Sequence, residues 1–379
     1  MNEQFAAYSE RRKAGILCIV AVVAMLVATM WPCDPFPRNG VTWLQRTGGL
    51  RFEKPGLVIS NESLRPTETQ AAESYSLELL IRPASTKSTH PILGFYAPTR
   101  AKQLMVRQYQ EGLVVTHDAA AWSDTTQTIT FYMGHIFRPG RLVLLTISSG
   151  PRGTAVYLDG QPAGSFPRFR ISRSELSGQI VLGTSPVAYD PWTGELRGLA
   201  IYSKNLTPVD ALKHYEEWTD PSGSPDLDGA MARYGFAERQ GRELRNDALY
   251  GPPLEIPATF SVPHKVLLRS PADEFTPDWN YAADILMNIA GFVPLGLIVC
   301  GYLAWTRSRW NAVLITTIIC GMLSFVIEVL QYYIPRRGSG TTDIIMNTLG
   351  AALGAALAQV DVVRRSLKRM TLMRIRMSE

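Results

Sequence analysis

The sequence predicts a mixed fold, a four-helix α transmembrane bundle joined to an all-β antiparallel sandwich outside the cytoplasm. Three observations predict it. Four stretches are apolar over about 20 residues, the length a helix needs to cross a ~30 Å hydrocarbon core. Between the first and second lies a long polar region, 40–270, that alternates in short runs separated by turn residues. Basic residues cluster beside the apolar stretches, the pattern that sets membrane orientation. The chain of 379 residues has room for two or three domains, and its 46% hydrophobic content is concentrated toward its ends.

The first segment, 1–39, holds a short cytoplasmic N-terminus and the first span, AGILCIVAVVAMLVATMW at about 14–31. It follows Arg11, Arg12 and Lys13. The run exceeds a signal-peptide core, and TMWPCDP offers no A-x-A-like cleavage site, so it reads as a span. Trp31 and Pro32 precede Cys33 where a lipoprotein signal needs small residues.

Within 40–270, the runs YSLELLIRP, LMVRQY, GLVVTH, QTITFYM, RLVLLTIS, TAVYLDG and GQIVLGT are strand-like. Asp159-Gly160 and Pro139-Gly140 are turns between them. Many short strands at this spacing make an antiparallel sandwich. The region contains no cysteine, so no disulfide holds it.

The third segment, 280–362, carries spans at about 283–305, 311–334 and 342–362, and a basic cytoplasmic tail fills 363–379. With Arg307 and Arg309 between the second and third spans and the basic tail after the fourth, four crossings place both termini in the cytoplasm and the sandwich outside. Arg336 and Arg337 then fall on the outer side, against that bias.

Polar residues recur in these spans. Ser324, Glu328 and Gln331 share one helix face, with Glu328 about 10 Å below the outer end. Asp284 and Asn288 are four apart at the start of the second span, and Asp343 and Asn347 repeat that spacing in the fourth. Arg336 and Arg337 lie just above. A carboxylate at this depth costs about 3 kcal/mol, so it should face the bundle and find a partner. Three readings stay open: a functional site, polar glue between helices, and helix N-caps for Asp284 and Asp343. Pro294 should kink the second span. Gly350 and Gly354 form G-x-x-x-G, which permits close helix approach inside the bundle or between subunits of an oligomer.

Several classes are excluded. There is no nucleic-acid-binding signature, no H-E-x-x-H or His–Cys cluster, no G-x-S-x-G and no P-loop. No cofactor is predicted. A Ca²⁺ site would rest on Asp118 or Asp190 alone, and one oxygen-rich turn does not make a cage. Trp122, Tyr132, Tyr189 and Trp192 are the aromatics that could stack on a sugar, or else pack in the core.

Two resemblances follow. GTAVYLDGQPAGSF, WTGELRGLAIYSKNLTPVDALKHYEEW and YSLELLIRP resemble the hairpin, closing strand with helix, and early strand of concanavalin A-like LamG domains. ARYGFAERQGRELRNDALYGPPLEIP (232–257) resembles a LamG segment that often comes first, which implies a shifted strand order. The resemblance implies a jelly-roll that binds glycans or, with carboxylates at fixed spacing, cleaves them. No E-x-D-x-x-E is present, and Glu216-Glu217 falls on the expected helix. Second, DILMNIAGFVPLGL, SFVIEVLQYYIPRR and TDIIMNTLGAALG resemble the VanZ-like membrane family. The matching residues are Asn288, Phe292, Pro294, Gly296, Glu328, Gln331, Pro335, Arg336, Asp343, Asn347, Thr348 and Gly350. That resemblance implies four spans with the sandwich inserted after the first, and a link to teicoplanin-type glycopeptide resistance. Together they imply a non-enzymatic protein of the cell envelope, seated in the cytoplasmic membrane, whose outer domain binds a glycan or surface polymer. The alternatives are a membrane enzyme acting on a lipid-linked substrate through Glu328, Asp343 and Arg336, and a protein-interaction scaffold.

Overall fold

A computed structural model describes residues 2–65, 74–87, 89–97, 104–117, 130–220 and 225–360. In chain order the elements are α1 (Asn2–Met30), β1 (Val41–Trp43), β2 (Leu50–Phe52), β3 (Val58–Leu64), β4 (Tyr75–Pro83), β5 (Thr89–Tyr96), β6 (Met105–Tyr109), β7 (Gly112–Thr116), β8 (Thr130–Met133), β9 (Val143–Gly150), β10 (Gly153–Leu158), β11 (Gln161–Phe166), α2 (Arg173–Leu176), β12 (Gly178–Leu182), β13 (Gly194–Tyr202), α3 (Pro208–Thr219), β14 (Ala230–Tyr234), β15 (Glu243–Leu244), β16 (Leu254–Glu255), α4 (Pro271–Glu274), α5 (Trp279–Leu303), α6 (Arg309–Tyr332) and α7 (Thr341–Leu357). They form two compact units, 36–265 and 1–35 with 266–379.

The first unit is a sandwich of two antiparallel sheets. One runs β1-β2-β13-β4-β9-β10-β11 with β14 beside β13, and the other runs β15-β16-β3-β12-β5-β6-β7-β8. Alternation decides the faces. In β4, Leu77, Leu79 and Ile81 are fully buried between the sheets, while Glu78 and Arg82 point to the opposite face. The Asp159-Gly160 turn takes the left-handed φ of a two-residue hairpin, +50° and +77°. The 232–257 segment is split: β14 extends the first sheet, and β15 and β16 extend the second. The sequence reading missed β3 and β5, whose polar or Pro- and Gly-containing runs lack clean alternation.

Helix α3 starts at the Thr207–Asp210 capping box and lies on the outer face of the first sheet. It is anchored by Glu78, which is completely buried. Glu78 accepts hydrogen bonds from Trp218 Nε1 (2.9 Å), Tyr202 Oη (3.2 Å) and Thr146 Oγ1 (3.3 Å), and His214 Nδ1 lies 3.0 Å away. Burial alone would lower the His214 pKa, but the hydrogen bond and charge of Glu78 outweigh it and raise it.

The second unit holds α1 and α4–α7. Among the described residues, three helices are long and apolar enough to cross a membrane: Arg11–Met30 within α1, and α5 and α6. The fourth expected span corresponds to α7, which covers 17 residues and ends at Leu357, so a fourth crossing is not established by length and composition. Helix α5 runs unbroken through Pro294. It also begins at Trp279, with Asp278 as its N-cap, so Asp284 is not a cap but an exposed residue inside the helix. Asp343 is likewise the third helical residue of α7, behind an N-cap at Gly340.

Candidate functional site

The helical unit brings most of the expected polar residues together. Glycine sets the packing between α5 and α7: a Cβ on Gly350 would sit 2.2 Å from the Ile289 carbonyl oxygen, on Gly354 2.0 Å from that of Val293, and on Gly296 2.1 Å from that of Ala351. The G-x-x-x-G face is therefore filled by α5 of the same chain, which removes it as the surface for an oligomer. At this close approach, Asn288 Nδ2 donates to Asp343 Oδ1 at 2.5 Å. Asn347 Nδ2 donates to Ser324 Oγ on α6 at 3.0 Å. Glu328, 2% exposed, accepts the Gly340 N–H at 2.9 Å through Oε2. Because α6 ends at Tyr332, Glu328 lies four residues from the helix end, about 6 Å, shallower than the sequence reading placed it.

Two carboxylates serve the amino end of α7. Glu328 takes the Gly340 N–H, and Glu274 of α4 takes the Thr342 N–H at 3.2 Å. Orphan N–H groups and the positive end of the helix dipole both favour carboxylates there. Glu274 escaped the sequence reading; its signal was the S-P-A-D-E run, in which Ser270 caps α4. The segment before α4 is tied down as well. The Arg269 N–H donates to the Ser339 carbonyl and the Thr341 N–H to the Arg269 carbonyl, both at 3.0 Å.

Other expected members lie elsewhere. Gln331 Nε2 donates to the Thr29 carbonyl at 3.0 Å, and the Arg337 guanidinium donates to the Trp31 carbonyl, so both hold α1. Arg336 is exposed. Two buried atoms in the cluster, Asn347 Oδ1 and Thr342 Oγ1, have no hydrogen-bond partner among the described residues.

The aromatics of the sandwich divide. Trp192 is 1% exposed, its Nε1 donates to Gln108 Oε1 at 2.7 Å and its ring packs on Phe52, so it offers no face to a sugar. Tyr189 packs edge-on against Phe260, 5.5 Å between centroids. Trp122 and Asp118 lie outside the described residues. Tyr132 is 56% exposed and meets Tyr109 edge-on at 5.8 Å on the outer face of the second sheet, beside its β8 edge. Asp190 is held by His90 Nδ1 (2.6 Å) and Arg107 (2.9 Å), which occupies the oxygens a Ca²⁺ would need. Among the described residues no three His, Cys, Asp or Glu side chains group to hold a metal.

Two further carboxylates of the sandwich, Glu175, which is buried, and Glu195, which is partly buried, are also paired. Glu175 contacts His117 and caps α2 at Ser172. Burial works to raise its pKa, and those bonds overcome it and hold it below the usual range. Glu195 is ringed by Arg197 (2.8 Å), Arg51 (3.2 Å) and Arg82 (3.2 Å). Burial opposes its ionisation, but the arginines prevail and hold it below the usual carboxylate range.

Residues 59–210 match the concanavalin A-like lectin/glucanases superfamily, and residues 235–363 match VanZ/LLP1. The chain is a composite of a VanZ-like region and a concanavalin A-like domain. The VanZ-like match begins at residue 235, inside the sandwich unit, and runs through α5–α7. The VanZ-like region and its apolar helices make this a membrane protein. No curated protein matches the chain. Among solved structures, the Botulinum neurotoxin serotype D binding domain is 15% identical with a TM-score of 0.35, over 47% of this chain and 46% of that one. The chain thus spans less than half the length of that neurotoxin domain. A heptameric SAP-like pentraxin from Limulus polyphemus is 13% identical with a TM-score of 0.35, over 59% of this chain and 96% of that one.

Proposed function

We propose that the protein is a four-span component of the cytoplasmic membrane whose concanavalin A-like domain, outside the cell membrane, binds a glycan or surface polymer. Both termini are cytoplasmic in this reading, which the flanks Arg11, Arg12 and Lys13, and Arg307 and Arg309, support. The observation that carries the binding role is the Tyr109–Tyr132 pair, two rings offered to solvent on a sheet face where a sugar can stack. Hydrolysis is disfavoured by the state of the acids. Glu78, Glu175, Glu195 and Asp190 are each engaged by their neighbours, so none stands ready as one of an acid–base pair. The test is a binding titration of neutral and charged polysaccharides on the detergent-solubilised full chain. Tyr132→Ala should weaken binding about tenfold, in line with the 1–3 kcal/mol measured for stacking of bases on aromatic side chains. Undiminished binding by Tyr132→Ala would remove this face from the site. The VanZ-like region adds the finer expectation that loss of the gene lowers teicoplanin tolerance, which susceptibility of a deletion strain measures.

A second reading draws on the helical unit. Glu328 is buried beside Asn347 and Thr342, whose Oδ1 and Oγ1 stand unpartnered among the described residues, so a polar group of a lipid-linked substrate has open atoms to meet. In that reading Glu328 and Asp343 act on the substrate, with Arg336 nearby. Loss of function by Glu328→Gln at normal abundance is its signature.

A further inference from the structure

The outer face of the first sheet carries a concave pocket of ≈ 330 Å³, lined by Trp43, Gln45, Arg46, Arg51, Arg82, Glu195 and Arg197 among others. Cross-strand register builds it. Arg51 of β2 pairs with Glu195 of β13, and Glu195 pairs with Arg82 of β4, so three strands place these side chains in one row. Four guanidiniums therefore meet in a pocket lined by one carboxylate, and Glu195 already serves three of them. A single carboxylate neutralises one of these charges. The rest leave the pocket strongly positive, and guanidiniums this close repel one another until an anion joins them. The Arg82 Nε–H is buried and has no acceptor among the described residues, so a donor is left over for a ligand.

The pocket is also preformed. Its wall is the β1–β2 loop, which turns at Gly48 and Gly49 with φ of +70° and +104°. A Cβ on Gly49 would come within 2.9 Å of the Leu196 carbonyl oxygen, so the loop lies against β13 only with glycine there. Trp43 Nε1 donates to the Gly241 carbonyl at 2.8 Å and Gln45 Nε2 to the Arg239 carbonyl at 3.1 Å, which pins the loop from outside. The volume is at the small end for ligand pockets and suits one sugar unit. Arginine forks match carboxylate and phosphate oxygens.

We propose that this pocket binds an anionic saccharide unit, a sugar bearing a carboxylate or a phosphate, within an envelope polymer. The proposal rests on the glycan-binding reading and names its substrate class and a second contact surface for it.

The test titrates detergent-purified full-length protein by calorimetry with three probes: oligogalacturonate, a glycerol-phosphate oligomer and a neutral β-glucan oligomer. Titrations are run at low and high salt. An anionic probe should bind most tightly and weaken as salt rises. Whether galacturonate or glycerol phosphate wins identifies the anion as carboxylate or phosphate. Arg51→Gln, at a half-exposed position, should weaken that probe about tenfold, which corresponds to about 1.4 kcal/mol. Glu195→Gln removes the resident carboxylate and should tighten it, a gain that misfolding cannot imitate. If the neutral glucan binds as well as either anion, or Arg51→Gln changes nothing, the anionic pocket is wrong while the glycan reading survives on Tyr132. If no probe binds, both fall.

Discussion

Replacing Glu328 separates a charged functional site from a packing device. Its side chain is 2% exposed, and the Oε2 that takes the Gly340 N–H is the contact most directly at stake. Gly340 is itself buried, so its N–H has no water to turn to. In Glu328→Gln the amide oxygen still accepts that bond. What is lost is charge assistance, the difference between about 1.5–3 kcal/mol for a bond to a charged group and about 0.5–1.5 kcal/mol for a neutral one. Against this stands relief of the about 3 kcal/mol insertion cost of a carboxylate. The loss of about 1–1.5 kcal/mol is smaller than that relief, so Glu328→Gln should keep abundance and thermal stability at or above the parent's. Glu328→Leu leaves a buried donor unmet, which costs about 1–3 kcal/mol and should cancel the benefit of removing charge. Membrane abundance and detergent melting of both variants are read beside the phenotype of a deletion strain. A Gln variant that is abundant but inactive supports a charged site. Full activity of Glu328→Gln would refute that mechanism, and a loss of function that merely follows abundance would make Glu328 a helix cap.

The pH dependence of the sandwich tests the buried Glu78–His214 contact. Because the folded pKa of His214 is raised above its ordinary value of about 6.5, its contribution is fully present below pH ~6.5 and is lost as pH rises through the raised value. The melting temperature of the domain should therefore fall between about pH 6 and 8, and His214→Gln should flatten that slope; an unchanged slope would show that His214 does not titrate there. Glu175 and Glu195, with lowered pKa values, act oppositely, and their contribution should be lost as pH falls below about 4.3. Gly350→Ala should cost about 1–3 kcal/mol by overpacking against Ile289, whereas Gly291→Ala, which meets nothing within 4 Å, should be neutral; melting in detergent compares them. In a Cys33→Ser background, Tyr250→Cys and Gly338→Cys should react with an impermeant thiol reagent on intact cells, and Thr306→Cys only after permeabilisation. Labelling of Thr306→Cys from outside would overturn the four-span arrangement.

What the sequence determined by itself is what neighbouring residues decide together. The alternation of YSLELLIRP is β4 to the residue, the Asp159-Gly160 pair is the expected hairpin turn, and Thr207 with Asp210 starts α3 as a capping box should. The apolar runs became α1, α5 and α6, because length and hydrophobicity are local properties. The four-apart spacings of Asn288 and Asp284, and of Asp343 and Asn347, were visible, but not which member would face inward. Packing of Gly350 and Gly354 against α5 turned Asn288, Asp343 and Asn347 into the bundle and left Asp284 outside. Trp192, in an irregular stretch before β13, carried no period to mark it as core. Glu274 reaches the end of α7 from 68 residues away, and Glu195 meets Arg51 across 144. Such meetings depend on strand register and helix approach between distant segments, energies that no local pattern contains, so the polar cluster was legible in outline and the arginine pocket only in the folded chain.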